Sequence, residues 1–329
     1  MAAPTPYGTR PAAAIGHILA RARRGARAGG ATDGRKLGLV VEGGAMRGVF
    51  SAGVDVGLEE LGLTAVFDDV YGTSAGAINA AYFLAGQAAY GATIYYEDIN
   101  NAQFINFARV TKMLDVDFLF DEILARRKAL NVDRVLASPS RFFISLADAA
   151  TGEGFLVPAH KDDPPLMEAL KASAAHPMLY DRNVRIRERE CFDGGFANPL
   201  PVQDAIDAGC TDVLVVLTRP ASYVEPPPGF VVRRLFVWKC ARGNQRLIDS
   251  GLRLHLLANA ARDIALGRRR APDGVNIVTI CPDEGEPAVA RTTKKAKALR
   301  AASARGARKA LETFGADPDR LVEVLRYFP

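Results

Sequence analysis

The sequence predicts an α/β fold of three layers, with helices on both faces of a mostly parallel central sheet. Two observations carry this. Short apolar runs alternate with helical stretches along most of the chain, the alternation that a parallel sheet covered on both sides produces. Two of the strand-to-helix turns are also dense in glycine, as tight βα connections require.

In order, residues 36–42 (Lys36 to Glu42) form a continuous apolar run suited to a buried strand, and a helix over 46–61 follows with Val49, Val54, Val56, Leu58 and Leu61 as its apolar positions. A second strand is expected at 67–71 and a second helix over 74–85, rich in alanine. Further strands are expected at 141–147, 154–157, 184–186, 212–218 and 275–281. Helices are expected at 121–130, 165–175, 201–208 and 244–268. The segment 219–232, with Pro220, Pro226, Pro227 and Pro228, reads as a surface loop, and the tail from 291 to 329 reads as helical. The expected organisation is a basic, disordered N-terminal extension over 1–35, one α/β domain over 36–290, and a basic helical extension over 291–329 packed on that domain.

Three motifs stand at the ends of these elements. Gly72-Thr73-Ser74-Ala75-Gly76 fits a strand–turn–helix elbow that lifts a serine hydroxyl out of the fold at a helix N-terminus. A glycine-rich turn in which the serine merely caps the helix is the alternative for the pentapeptide alone. Upstream, Gly43-Gly44-Ala45-Met46-Arg47-Gly48 opens a helix and exposes backbone N–H groups that suit an oxyanion or a phosphate. A dinucleotide loop wants glycine where Ala45 stands, and a P-loop needs a Lys-Ser/Thr pair that is absent. The third motif is Asp193-Gly194-Gly195, which is by default a tight turn, preceded by the small-residue segment Ser173 to Pro177.

Taken together, the chain resembles the patatin-like phospholipases. The resemblance rests on Glu42 through Gly48, Gly72 through Gly76 and Asp193 through Gly195, in order and at compatible spacing, and covers roughly residues 36 to 218. Phe142 to Asp148 with Thr151-Gly152-Glu153, and Ser173 to Pro177, are also similar to stretches of that family. One departure is Ala45, where the family more often has glycine; a positive φ there would cost about 1 kcal/mol.

The resemblance implies a lipid acyl hydrolase with Ser74 as nucleophile and Asp193 as general base, a dyad without histidine. It implies an oxyanion hole from the backbone of Gly43, Gly44, Ala45, Arg47 and Gly48, with Gly72, Gly76, Gly194 and Gly195 shaping the elbow and the turn. It implies a lipid or acyl-ester substrate and no cofactor or metal. An aspartate at its ordinary pKa of about 4 is a poor base toward serine, so Asp193 must gain basicity from desolvation and contact with Ser74. Arg47 serves either the substrate or its own loop. The aromatic-rich segment 87–120 forms either a cover over the acyl chain or packed peripheral helices.

Two other readings stay open. A Ser–Asp–His triad would use His255, which follows Asp193 but falls inside a helical pattern; His17, His160 and His176 read as ordinary surface or capping residues. A lipid-binding protein without turnover would keep the fold while leaving Ser74 and Asp193 without a role.

The net charge of +5 divides unevenly: residues 1–36 carry +6, residues 291–310 carry +8, and the rest carries −9. An acidic body with basic ends argues against nucleic-acid binding and favours peripheral contact with an anionic membrane. Ile15, Ile18, Leu19 and Ala22 share one helical face within the N-terminal stretch. Cys191, Cys210, Cys240 and Cys281 are widely spaced, which favours reduced thiols in a cytoplasmic setting over a disulfide or metal framework. Cys191, two residues from Asp193, either lines the site or is a small buried residue.

Overall fold

The computed structural model describes residues 7–25, 27–29, 32–109, 111–241 and 243–328. The elements in the first half are α1 (Pro11–Arg23), β1 (Leu37–Val41), α2 (Gly48–Glu60), β2 (Asp69–Thr73), α3 (Ala75–Leu84), α4 (Ala88–Thr93), α5 (Val132–Leu136), β3 (Arg141–Asp148) and β4 (Gly154–Pro158). They continue with α6 (Leu166–Ala174), β5 (Val184–Ile186), β6 (Arg189–Asp193), α7 (Val202–Asp207), β7 (Asp212–Val216), α8 (Phe230–Phe236), α9 (Gln245–Ala265), β8 (Asn276–Ile280), α10 (Ala296–Thr313) and α11 (Pro318–Leu325).

All strands join one sheet in the pairing order β5-β6-β3-β2-β1-β7-β8, with β4 added to β3. β3, β2, β1, β7 and β8 are mutually parallel, and β1, β2, β7 and β8 are buried at every position. Burial on both faces explains why these strands read as unbroken apolar runs. Leu37, Leu39 and Val41 face the core shared with α2, α3 and α10, while Val40, Val213 and Val215 face the one shared with α7 and α9.

The strand the sequence reading missed is β6. Its Arg189-Glu190 start hides the apolar signal, yet its register decides where the third motif falls. Residues 143–145 of β3 pair with β2 and β4, and Leu146 and Ala147 pair with β4 and β6. β2 and β6 therefore occupy the same side of β3, end to end: β2 ascends to Thr73, and antiparallel β6 descends to Asp193. β2 also spans 69–73 rather than 67–71, so it runs into the elbow itself.

The N-terminal stretch departs from expectation. Residues 11–23 form a packed helix rather than a disordered extension, because Ala14 and Ile18 are fully buried and Arg21, also fully buried, pairs with Asp33 and Asp68. Residues 1–6 of that stretch lie outside the described residues. At the other end α10 lies on α2 so closely that a Cβ on Gly53 would stand 1.9 Å from the Ser303 carbonyl oxygen. The helix expected at 121–130 is instead a wide π-type helix over Phe118–Arg127.

Candidate active site

The end-to-end meeting of β2 and β6 brings the first and third motifs together. Ser74 Oγ donates to Asp193 Oδ2 at 2.8 Å, across 119 positions of chain. Asp193 Oδ1 accepts the Gly195 N–H at 2.8 Å, which leaves the other oxygen facing the serine. Thr73 Oγ1 and Ser145 Oγ both donate to the Asn198 carbonyl, at 3.2 and 3.0 Å, and tie the turn after Asp193 to β2 and β3.

Ser74 heads α3 with φ 55° and ψ −128°, a conformation costing a non-glycine residue about 1–3 kcal/mol. A side chain that sequence reading left without a role holds it there. The Ser74 N–H donates to Ser173 Oγ at 2.8 Å, and Ser173 Oγ–H donates to the Ser145 carbonyl at 2.8 Å. Ser173 is fully buried on α6. Ser173→Ala leaves that N–H and that carbonyl without this partner, so a loss of about 1–3 kcal/mol in stability is expected from urea unfolding. An unchanged midpoint would remove Ser173 from the support of the elbow.

The glycine-rich loop passes directly against the serine: a Cβ on Gly43 would lie 2.9 Å from Ser74 Cβ and 2.3 Å from the Thr73 carbonyl oxygen. Ala45 sits at φ 51°, in the left-handed region. The amides of Gly43, Gly44 and Ala45 have no backbone acceptor among the described residues, and all three residues line the cavity around Ser74. Arg47 and Gly48, expected to contribute their amides, do not: the Arg47 N–H donates to the Gly44 carbonyl at 3.1 Å, and the Gly48 N–H donates back into the same short 3-10 turn. The Arg47 side chain folds under its own loop, with Nε 2.8 Å from where a Cβ on Gly44 would stand.

The cavity measures about 150 Å³. Ile78, Ile94, Ile99, Phe104, Leu114 and Leu119 line its apolar arm, so the aromatic-rich segment 87–120 is packed into the core and forms a wall at the same time. The polar end is formed by Glu42, Arg219, Tyr223, Glu225, Arg262 and Arg291, none of which except Glu42 belongs to a motif read from the sequence. His255 is not among the lining residues. His176 is, but burial pushes its imidazole down to about 3, and its Nδ1 accepts the Met178 N–H at 3.3 Å. Neither histidine hydrogen-bonds Asp193. Cys191 is fully buried outside the cavity, its thiol pushed up to about 11 chiefly by burial.

Burial raises the Asp193 carboxyl to about 6, against the opposing hydrogen bonds from Gly195 and Ser74. A pKa raised on folding gives stability that is full below the unfolded value near 4 and is lost as pH rises through about 6. At pH 8 the ionised carboxylate is therefore both a better base and a destabilising group. Ester turnover is expected to fall about tenfold per pH unit below about 6. An activity profile flat to pH 4 would contradict a role for this carboxylate as base.

An α/β sheet carrying a serine at a strand–helix elbow, bonded to an aspartate beside a glycine-rich loop, defines a class of nucleophilic hydrolase folds. The family model of the patatin-like phospholipases matches residues 39–206, about half of the chain, and the chain belongs to that family. It is 28% identical over 224 residues to the uncharacterized protein YjjU of Escherichia coli (strain K12), a match covering 65% of this chain and 60% of that protein. The crystal structure of VipD from Legionella pneumophila aligns over 85% of this chain and 66% of that one, at 12% identity and a TM-score of 0.43. In both cases the match spans less than two thirds of the relative's length.

Proposed function

We propose that this chain is a serine acyl hydrolase that cleaves carboxylic esters of lipids. The observation that carries the reading is the 2.8 Å bond from Ser74 Oγ to Asp193 Oδ2 at the junction of an apolar arm and a polar end. Asp193 takes the hydroxyl proton as Ser74 attacks the ester carbonyl. The amides of Gly43, Gly44 and Ala45 stabilise the oxyanion, the alcohol leaves with the proton, and water activated by Asp193 releases the fatty acid. The test is to incubate the purified protein with a panel of phospholipids, lysophospholipids and glycerides and identify released fatty acids by mass spectrometry. Release together with labelling by a fluorophosphonate probe supports the reading; neither signal from a folded protein overturns it.

We further propose that the chain works at an anionic lipid surface and meets it through residues 230–238. Phe230 and Trp238 are each 73% exposed, Val231 and Val232 stand out beside them, and Arg233 and Arg234 lie between. Aromatic and basic side chains so mixed suit a headgroup boundary. Phe236, in the same segment, stacks on Phe196 with ring centroids 4.9 Å apart, which joins the patch to the cavity wall. The basic ends supply less free charge than their composition suggests, since Arg24 pairs with Asp33, Arg35 with Asp212, and Arg305 and Arg308 with Glu286. Among the described residues no helix is long and apolar enough to cross a membrane. Binding to phosphatidylglycerol vesicles is expected to weaken in Trp238→Ala and in high salt, and unchanged sedimentation in both would discard the patch.

A further inference from the structure

The polar end of the cavity gathers more positive charge than its carboxylates are free to balance. Tyr223 is flanked by two guanidinium groups, that of Arg219 at 4.6 Å and that of Arg262 at 5.6 Å from the ring centroid. Arg262 is 3% exposed. Its Nη2 donates to the Pro220 carbonyl at 2.7 Å and its Nη1 stands 3.6 Å from Glu42 Oε1, while Nε and Nη1 make no hydrogen bond. Arg219 Nε is likewise buried without a partner. Arg291 completes the wall: its carbonyl accepts the Met46 N–H at 3.2 Å, which fixes it beside the glycine-rich loop, and its side chain forms no ion pair among the described residues.

The carboxylates nearby, of Glu42, Glu225 and Asp193, are fewer than the guanidinium groups of Arg47, Arg219, Arg262 and Arg291, and each also accepts from other donors. Glu42 accepts from the backbone N–H and the hydroxyl of Thr218, and Glu225 accepts from the Tyr223 hydroxyl at 3.0 Å. Asp193 is bonded to Ser74 and Gly195. Burial, followed by repulsion from Arg291 and then Arg219, pushes the Arg47 guanidinium down to about 10 despite the attraction of Glu42 and Glu225. Like charges held together in a partly dry cavity are unfavourable unless an anion joins them. Guanidinium groups are the side chains best matched to the paired oxygens of a phosphate or carboxylate.

Resting on the reading of Ser74 as an ester nucleophile, we propose that Arg219, Arg262 and Arg291 bind an anionic phosphate- or carboxylate-type group on the alcohol side of the substrate. The preferred substrates are then acyl esters with a net negative headgroup, over neutral glycerides. All three arginines lie outside residues 39–206, so this selectivity belongs to the part of the chain beyond the family match.

The experiment compares 1-oleoylglycerol 3-phosphate, 1-oleoylglycerophosphocholine and 1-oleoylglycerol in the same neutral detergent micelles at fixed ionic strength. The anionic ester is expected to have the highest kcat/KM, at least about tenfold above the neutral glyceride and mainly through KM. Arg291→Gln and Arg262→Gln should each lower that ratio about tenfold. Because Arg262 is buried and its replacement can unfold the chain, the exposed Arg291 carries the test. Equal turnover of the anionic and neutral esters overturns the proposal while leaving ester hydrolysis standing.

A second arm needs no turnover. Calorimetric titration of Ser74→Ala with 1-oleoylglycerol 3-phosphate should show binding that Arg291→Gln weakens about tenfold. Inorganic phosphate binding as tightly as the lipid would make this a free-phosphate site and overturn the headgroup assignment. Arginine-dependent lipid binding by a protein that hydrolyses no ester would support the anion site and reject the nucleophile reading.

Discussion

Replacing Ser74 by alanine is expected to lower ester hydrolysis by about 10⁴–10⁶-fold and to abolish fluorophosphonate labelling, with folding intact. Asp193→Asn should lose nearly as much, because it keeps the shape that receives the Ser74 hydrogen bond and removes the base. Two groups that act on one proton give non-additive losses, so the double variant should be little worse than either single. The asparagine variant should also be at least as stable as the native chain at pH 8, since it no longer carries a buried carboxylate whose pKa is raised to about 6. His255→Ala should keep most of the activity, as that residue of α9 is not among those lining the cavity. Loss of turnover in a folded His255→Ala protein, with Asp193→Asn spared, would restore the triad.

The second large effect is expected at Gly43. A valine there would drive its Cβ to 2.3 Å from the Thr73 carbonyl oxygen and 2.9 Å from Ser74 Cβ, so the loop must retreat from the serine. Loss of one oriented donor costs about 10²–10³-fold in kcat, and displacement of the loop threatens all three amides at once. Steady-state kinetics on a short-chain ester, beside a urea unfolding curve, separates the catalytic loss from destabilisation. A Gly43→Val protein with kcat near that of the native chain would show that these amides do not hold the oxyanion.

Ser74, Asp193 and the loop at Gly43–Ala45 could be read from the sequence because each is written into local backbone chemistry. Small residues at fixed spacing mark turns that larger ones cannot make. The same logic misled for Arg47 and Gly48, whose amides close the turn that presents the others. Ser173 was visible only as part of a small-residue segment, since its hydrogen bond to Ser74 spans 99 positions. The arginine wall left no local trace, because Arg219, Arg262 and Arg291 come from a loop, a helix and a linker that only the tertiary fold assembles. Helix α1 was misjudged for a related reason. Its basic composition gave no sign that Arg21 would be buried between Asp33 and Asp68.

The bare contact between Gly53 and the main chain at Ser303 has a consequence for cooperativity. Where Gly53 meets the main chain at Ser303 no side chain separates α2 from α10, so the amides of the two helices are expected to exchange with solvent as one opening unit. The turn bearing Gly43–Ala45 leads directly into α2 and is clamped to residue 291, just ahead of α10, through the Met46 N–H. A chain ending at residue 290 would thus leave a groove of exposed backbone along α2 and a loop without its clamp. Changes in α10, far from Ser74, are then expected to alter how firmly the Gly43–Ala45 loop is held, a shift that hydrogen exchange of its amides would report.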